Sequence, residues 1–135
     1  MDKREIKEQC YIEALEETLV GVEMIINRIN QIKIGSDVIE KDILMHDYIK
    51  TILDLELSLS ALCILLRKMS ENLFITISTD LRRDLNSLIH SNRFEYENNM
   101  LIAYSQKGRE DIDLTAILNF TKEVINDKNW YLYVL

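Results

Sequence analysis

The chain has no proline and only three glycines in 135 residues. Without proline nothing in the backbone forces a helix to kink or stop, and so little glycine argues against flexible linkers. Long uninterrupted helices are therefore predicted. Cysteine is almost as scarce. Cys10 and Cys63 fall in apolar helical patterns and form no CxxC pair, so a disulfide framework or a thiolate metal site is not expected, and both read as buried thiols. No apolar run approaches the ~20 residues that cross a bilayer. Met1-Asp2-Lys3-Arg4-Glu5 lacks the basic-then-apolar order of a signal peptide, so a cytoplasmic protein without membrane attachment is expected. Positive charge is also short: 16 Lys and Arg against 23 Asp and Glu leave a formal net charge of −7. A protein that coats nucleic acid is disfavoured, because such binding rests on neutralising phosphates.

What is present is the material of one soluble domain. The chain is 47% hydrophobic and 29% charged, enough apolar side chains for a core but, at this length, not for two. The patterning predicts an all-α domain over residues 1–135: a bundle of about four helices, two of them long and N-terminal, with a small β-hairpin before the last. Tyr11, Leu15, Thr18, Val22, Ile25 and Ile29 recur at spacings of four and three, which marks a first helix over Lys3 to about Ile32. Its many glutamates have no matching ligands elsewhere, so they read as a solvated face. Gly35 is the expected stop, with Ser36 or Asp37 capping the next helix. That helix, from Val38 to about Met69, carries one stripe through Met45, Tyr48, Ile52, Leu55, Leu59, Leu62 and Leu66. Ile49, Leu53 and Leu57 widen it, which suggests a central helix packed on several neighbours. His46 beside Asp47 reads as a surface pair.

Phe74, Ile77, Leu81, Leu85 and Leu88 predict the core face of a third helix. The periodicity then turns from helical to alternating. Phe94 and Tyr96, the pair Asn98-Asn99, and Met100, Ile102 and Tyr104 predict a hairpin around an Asn-Asn turn. Gln106 to Glu110 reads as a loop, and Asp111 or Asp113 as the cap of a last helix carrying Leu114, Ile117, Leu118, Thr121, Val124 and Ile125. The apolar tail Trp130 to Leu135 is expected to pack on this chain or on a partner.

The candidate chemistry lies on the third helix. Between Arg67 and Arg93 the chain carries Arg67, Lys68, Arg82, Arg83 and Arg93 against Glu71, Asp80 and Asp84, a positive segment within a negative whole. One of only two histidines, His90, closes that helix. At about 100° per residue Arg83, Asn86 and His90 line up on the side away from the core face. An imidazole that exchanges a proton near neutral pH, beside a permanent guanidinium, is the minimum equipment for metal-free attack on a phosphodiester.

Arg83-Asp84, five further residues and His90, followed by a hairpin and a final helix, resemble the HEPN family, compact all-α domains of prokaryotic defence, toxin–antitoxin and RNA-processing systems. The likeness spans about residues 78–125. It departs from the commoner family spacing, which would put Leu85 in the arginine's place and Asn86 in that of the asparagine following it. Asn92 stands where members regulated by a nucleotidyltransferase carry a tyrosine, so that mode of control does not carry over.

The resemblance implies a metal-independent endoribonuclease in which the RNA's own 2′-hydroxyl attacks the adjacent phosphate. His90 would move the proton, Arg83 would stabilise charge on the phosphate, and Asn86 would orient either group. Arg82 and Arg93 are candidate substrate contacts, with no metal or cofactor assigned. It also implies a homodimer with the site at the subunit junction, and a cognate antitoxin protein. Two other readings remain open: a non-catalytic helical dimer binding a protein or nucleotide, and a small-ligand sensor of haem-less globin-like type with an apolar pocket.

Overall fold

Residues 2–35 and 41–128 are described in the computed structural model. Four helices and three strands follow in the order α1 (Lys3–Gly35), α2 (Lys41–Glu71), α3 (Thr79–His90), β1 (Arg93–Glu97), β2 (Met100–Ser105), β3 (Gly108–Asp113) and α4 (Leu114–Lys128). The protein is thus mostly helical, with a small antiparallel sheet between α3 and α4. The Ser36 or Asp37 cap and the Trp130–Leu135 tail lie outside the described residues.

The Asp2 carboxylate opens α1 by accepting the Glu5 amide at 2.8 Å, which satisfies one of the free donors of the first turn. Without proline or an interior breaker, α1 and α2 run 33 and 31 residues and pack side by side. They are antiparallel: Arg4 and Lys7 near the start of α1 donate to Asn72 just past the end of α2, while Arg28 meets Asp54 at 3.8 Å further along. Ile12, Leu15, Val22 and Ile29 face Leu55, Leu59, Leu62 and Leu66 in a fully closed core. Each such side chain is worth about 1.5–3 kcal/mol in burial. Thr51 and Thr121 sit among these apolar residues because each hydroxyl donates to the carbonyl four residues earlier, at 2.7 and 2.8 Å, so neither is buried unsatisfied.

Helix α2 ends through a left-handed residue. Leu73 has φ 63°, and the Phe74 amide reaches back to the Met69 carbonyl at 2.9 Å, the closure usually given to glycine. Phe74 and Ile77 are buried, as expected, but they lie in the segment before α3 rather than on it. Helix α3 begins only where the Ser78 hydroxyl oxygen accepts from the Leu81 amide at 3.1 Å.

The sheet extends what the sequence predicts. Asn98 and Asn99 both take positive φ, 50° and 64°, as a two-residue turn of this hand requires. Beyond it the expected loop at Gln106–Glu110 is instead a second tight turn, with Gly108 at φ 113°, leading into β3. The order is β1-β2-β3, antiparallel throughout. Phe94 pairs with Ala103 and Tyr96 with Leu101, so β2 buries Leu101 and Ala103 and not Met100, Ile102 and Tyr104. Ile112 adds the one buried side chain of β3. Of the two candidate caps of α4, Asp113 takes the role by accepting the Ala116 amide at 3.3 Å. Asp111 pairs with Arg109 at 3.0 Å.

Two further expectations are corrected. Cys63 is buried and its thiol is pushed up to about 12 by burial, but Cys10 is exposed. Ile49, Leu53 and Leu57 face outward at 60%, 50% and 65% exposure, because α2 meets α1 on one side and α3 and the sheet on another, and no other element among the described residues covers its third side. No helix among the described residues is long and apolar enough to cross a membrane.

Candidate functional site

Helix α3 owes its placement to its two faces. Leu85 and Leu88 are closed into the core, which turns Arg82, Arg83 and His90 outward. The turn between β2 and β3 stands opposite. Between the two lies an open groove of about 830 Å³, lined on the helix side by Arg82, Arg83, Asn86, Ser87 and His90 and on the sheet side by Ser105, Gln106, Lys107 and Glu110. Four of the five residues expected to act together are thus brought together. Arg93 is not one of them. It opens β1 and lays its guanidinium over the Tyr104 ring, 4.5 Å from the centroid, outside the groove lining.

The four are held differently. His90 ends α3, exposed at the groove, and among the described residues no hydrogen bond or ion pair engages its ring. Arg82 donates to the Ser70 hydroxyl at 3.3 Å, which draws it toward α2. Arg83 has two acidic neighbours: Asp80 one turn earlier at 3.9 Å and Glu110 across the groove at 3.6 Å through Nε. Its side chain is 68% exposed, so these pairs add little stability. Asn86 points inward between Arg83 and His90. Its Oδ1 is buried without a hydrogen-bond partner among the described residues, an arrangement that costs free energy.

Glu110, Ser87 and Lys107 are among the groove residues that the sequence does not single out. Glu110 joins the strand to the helix, since the Ser87 hydroxyl donates to its Oε2 while Oε1 faces Arg83. Asp84 lies beside it. Burial first, then the Glu110 charge and a hydrogen bond with it, hold the Asp84 carboxyl above its ordinary range, with Arg83 pulling the other way. The signal that could have found Glu110 is the period of two in Gly108–Asp113. Glu110 and Ile112 share a parity, and these are the two less exposed positions of the strand.

The groove can bind an anion through Arg82, Arg83 and Lys107 and present an imidazole beside it. No cluster of three or more His, Cys, Asp or Glu side chains suited to a metal ion is found among the described residues. His46 stands apart on α2, 3.8 Å from Asp47 and exposed, the surface pair the sequence suggests. Comparison with protein-family descriptions, curated proteins and solved structures returns no match.

Proposed function

We propose that this chain is a HEPN-like, metal-independent endoribonuclease of a defence or toxin–antitoxin system, acting in the cytoplasm as a homodimer under the control of a cognate antitoxin protein. The observation that carries the reading is the gathering of His90, Arg83, Asn86 and Arg82 into one cationic groove faced by Lys107. In the reaction the RNA 2′-oxygen forms a bond to the adjacent phosphorus and the bond to the 5′-oxygen breaks. The 2′-hydroxyl gives up its proton and the departing oxygen takes one. His90 serves one of these transfers, and Arg83 stabilises the charge gathering on the non-bridging oxygens. Asn86, on the same stripe of α3, would orient the imidazole or the phosphate.

The side of α2 that no other described element covers supports self-association. Met45, Ile49, Leu53, Leu57 and Ile64 are exposed there, and α1 adds Val20 and Met24. At on the order of 100 Å² each they present roughly 700 Å², close to the ~800 Å² per partner of a standard interface. The charges near this face, Glu17 and Asp54 with Arg28, are of both signs, which suits a second copy turned about a twofold axis.

A second reading rests on Arg83 itself. Its pairing with Glu110 and Asp80 is also what a non-catalytic dimer with an anion-binding surface would show. The polar lining of the groove gives no support to an apolar ligand sensor. The test is incubation of wild-type protein and His90→Ala with structured and single-stranded RNA in EDTA, alongside sedimentation of both. Cleavage by the wild type alone, with a species twice the 15.9 kDa of the chain, is the expected result. A dimer that binds RNA without cutting it would instead establish the second reading.

A further inference from the structure

We infer that Glu110 is a positioning residue for Arg83, a carboxylate that weakens the groove's hold on RNA in exchange for orienting the guanidinium. The inference rests on the nuclease reading for its functional meaning, but its geometry stands alone. Glu110 is fixed at both oxygens: Oε2 accepts from Ser87, and Oε1 lies 3.6 Å from Arg83 Nε. The tie to Arg83 runs through Nε, at the inner edge of the guanidinium, so Glu110 itself occupies neither terminal nitrogen. Asp80 steadies one of these at 3.9 Å. A long, mostly exposed arginine otherwise samples many rotamers, and freezing it on each turnover would cost entropy.

A groove built only to attract RNA would not place a carboxylate in the wall opposite its two arginines. Glu110 is set there, and Asp84 beside it carries the electrostatic consequence, held above its ordinary range in part by the Glu110 charge. The carboxylate therefore opposes phosphate binding while it aims the group that acts on phosphate. These two effects have opposite signs in kinetics, which separates orientation from simple folding support.

The experiment compares wild type, Glu110→Gln and Glu110→Asp for cleavage of a fluorescent single-stranded RNA, with affinity measured by anisotropy in a His90→Ala background. Removing one negative charge from the groove is expected to tighten binding about fivefold. At saturating RNA, kcat is expected to fall about tenfold or more as the guanidinium loses its tether. Glu110→Asp keeps the charge and should keep the weaker binding, with part of the rate. An unchanged kcat for Glu110→Gln overturns the inference, as does weaker binding accompanied by a lower melting temperature. If the wild type cleaves no RNA, the nuclease reading fails, and the inference is then decided by the Arg83 Nε–H resonance. A rigid, shifted signal that averages toward free arginine in Glu110→Gln supports the tether, and an unchanged signal overturns it.

Discussion

Replacing Lys107 with alanine isolates the electrostatics of the groove from its chemistry. Lys107 sits in the turn between β2 and β3, exposed, at the rim facing α3, so the substitution removes a charge and no packing. Three cations line the groove: Arg82, Arg83 and Lys107. If each displaces counterions from single-stranded RNA, log K should fall against log salt with a slope of about −2. Affinity then drops roughly 20-fold between 50 and 200 mM salt. Lys107→Ala should flatten the slope to about −1.4, so that the same change of salt costs only about sevenfold. The assay is a salt titration of fluorescence anisotropy at pH 8 in a His90→Ala background, where neither cleavage nor imidazole charge contributes. Identical slopes for the two proteins would refute the placement of Lys107 in the binding surface. A slope near zero for the parent would refute the groove as an RNA site altogether, since the chain's net charge of −7 leaves only a local cluster to hold a polyanion.

Two other outcomes follow from the fold. Leu73 takes φ 63° while 82% exposed, so Leu73→Gly relieves about 1–2 kcal/mol of left-handed strain and gives back about 0.5–1 kcal/mol in unfolded-state entropy. A gain of about 0.5–1 kcal/mol, or roughly 3 °C in Tm by calorimetry, is expected, and a loss would mean that the side chain packs. For Asp84, a carboxyl raised in the folded state, ionisation opposes folding. Its cost is present above the folded pKa and fades as the pH falls through that value toward the ordinary carboxylate range. Asp84→Asn should therefore raise Tm at pH 7 with no difference left below about pH 3, and equal melting at both pH values would refute the unfavourable charge.

The two long helices and α4 were legible in the sequence because each carries a stripe at helical spacing, whereas the stripe of α3 runs back through Phe74 and Ile77, which lie before its Ser78 cap. The strands were legible only in part. Met100 to Tyr104 is apolar on both faces, so parity alone could not say that the small Ala103, under Phe94, belongs to the core. Strand β3 resembled a loop because Gly-Arg-Glu-Asp-Ile-Asp offers one apolar residue, and it is an edge strand exposed at most positions. The same limit governs the site. Arg83, Asn86 and His90 share a helix, so a 100° turn per residue places them together. Lys107 and Glu110 reach them through strand pairing across some twenty positions of chain, and no local pattern encodes that. The outward face of α2 is hidden in the sequence for a related reason: an apolar residue shows that burial is favourable, not which neighbour will supply it.

One wall of the groove is a rigid helix whose buried face locks it to the core, and the other is the tip of a two-residue hairpin turn. The two walls therefore answer to different constraints. Any change on α3 must respect Leu85 and Leu88, whereas residues can be added or exchanged at Gln106 and Lys107 without disturbing a single core side chain. Such a site can alter what it admits, widening, narrowing or recharging its mouth, at almost no risk to folding. In a set of related proteins, divergence in ligand choice would be concentrated at this turn, while the helix opposite changed little.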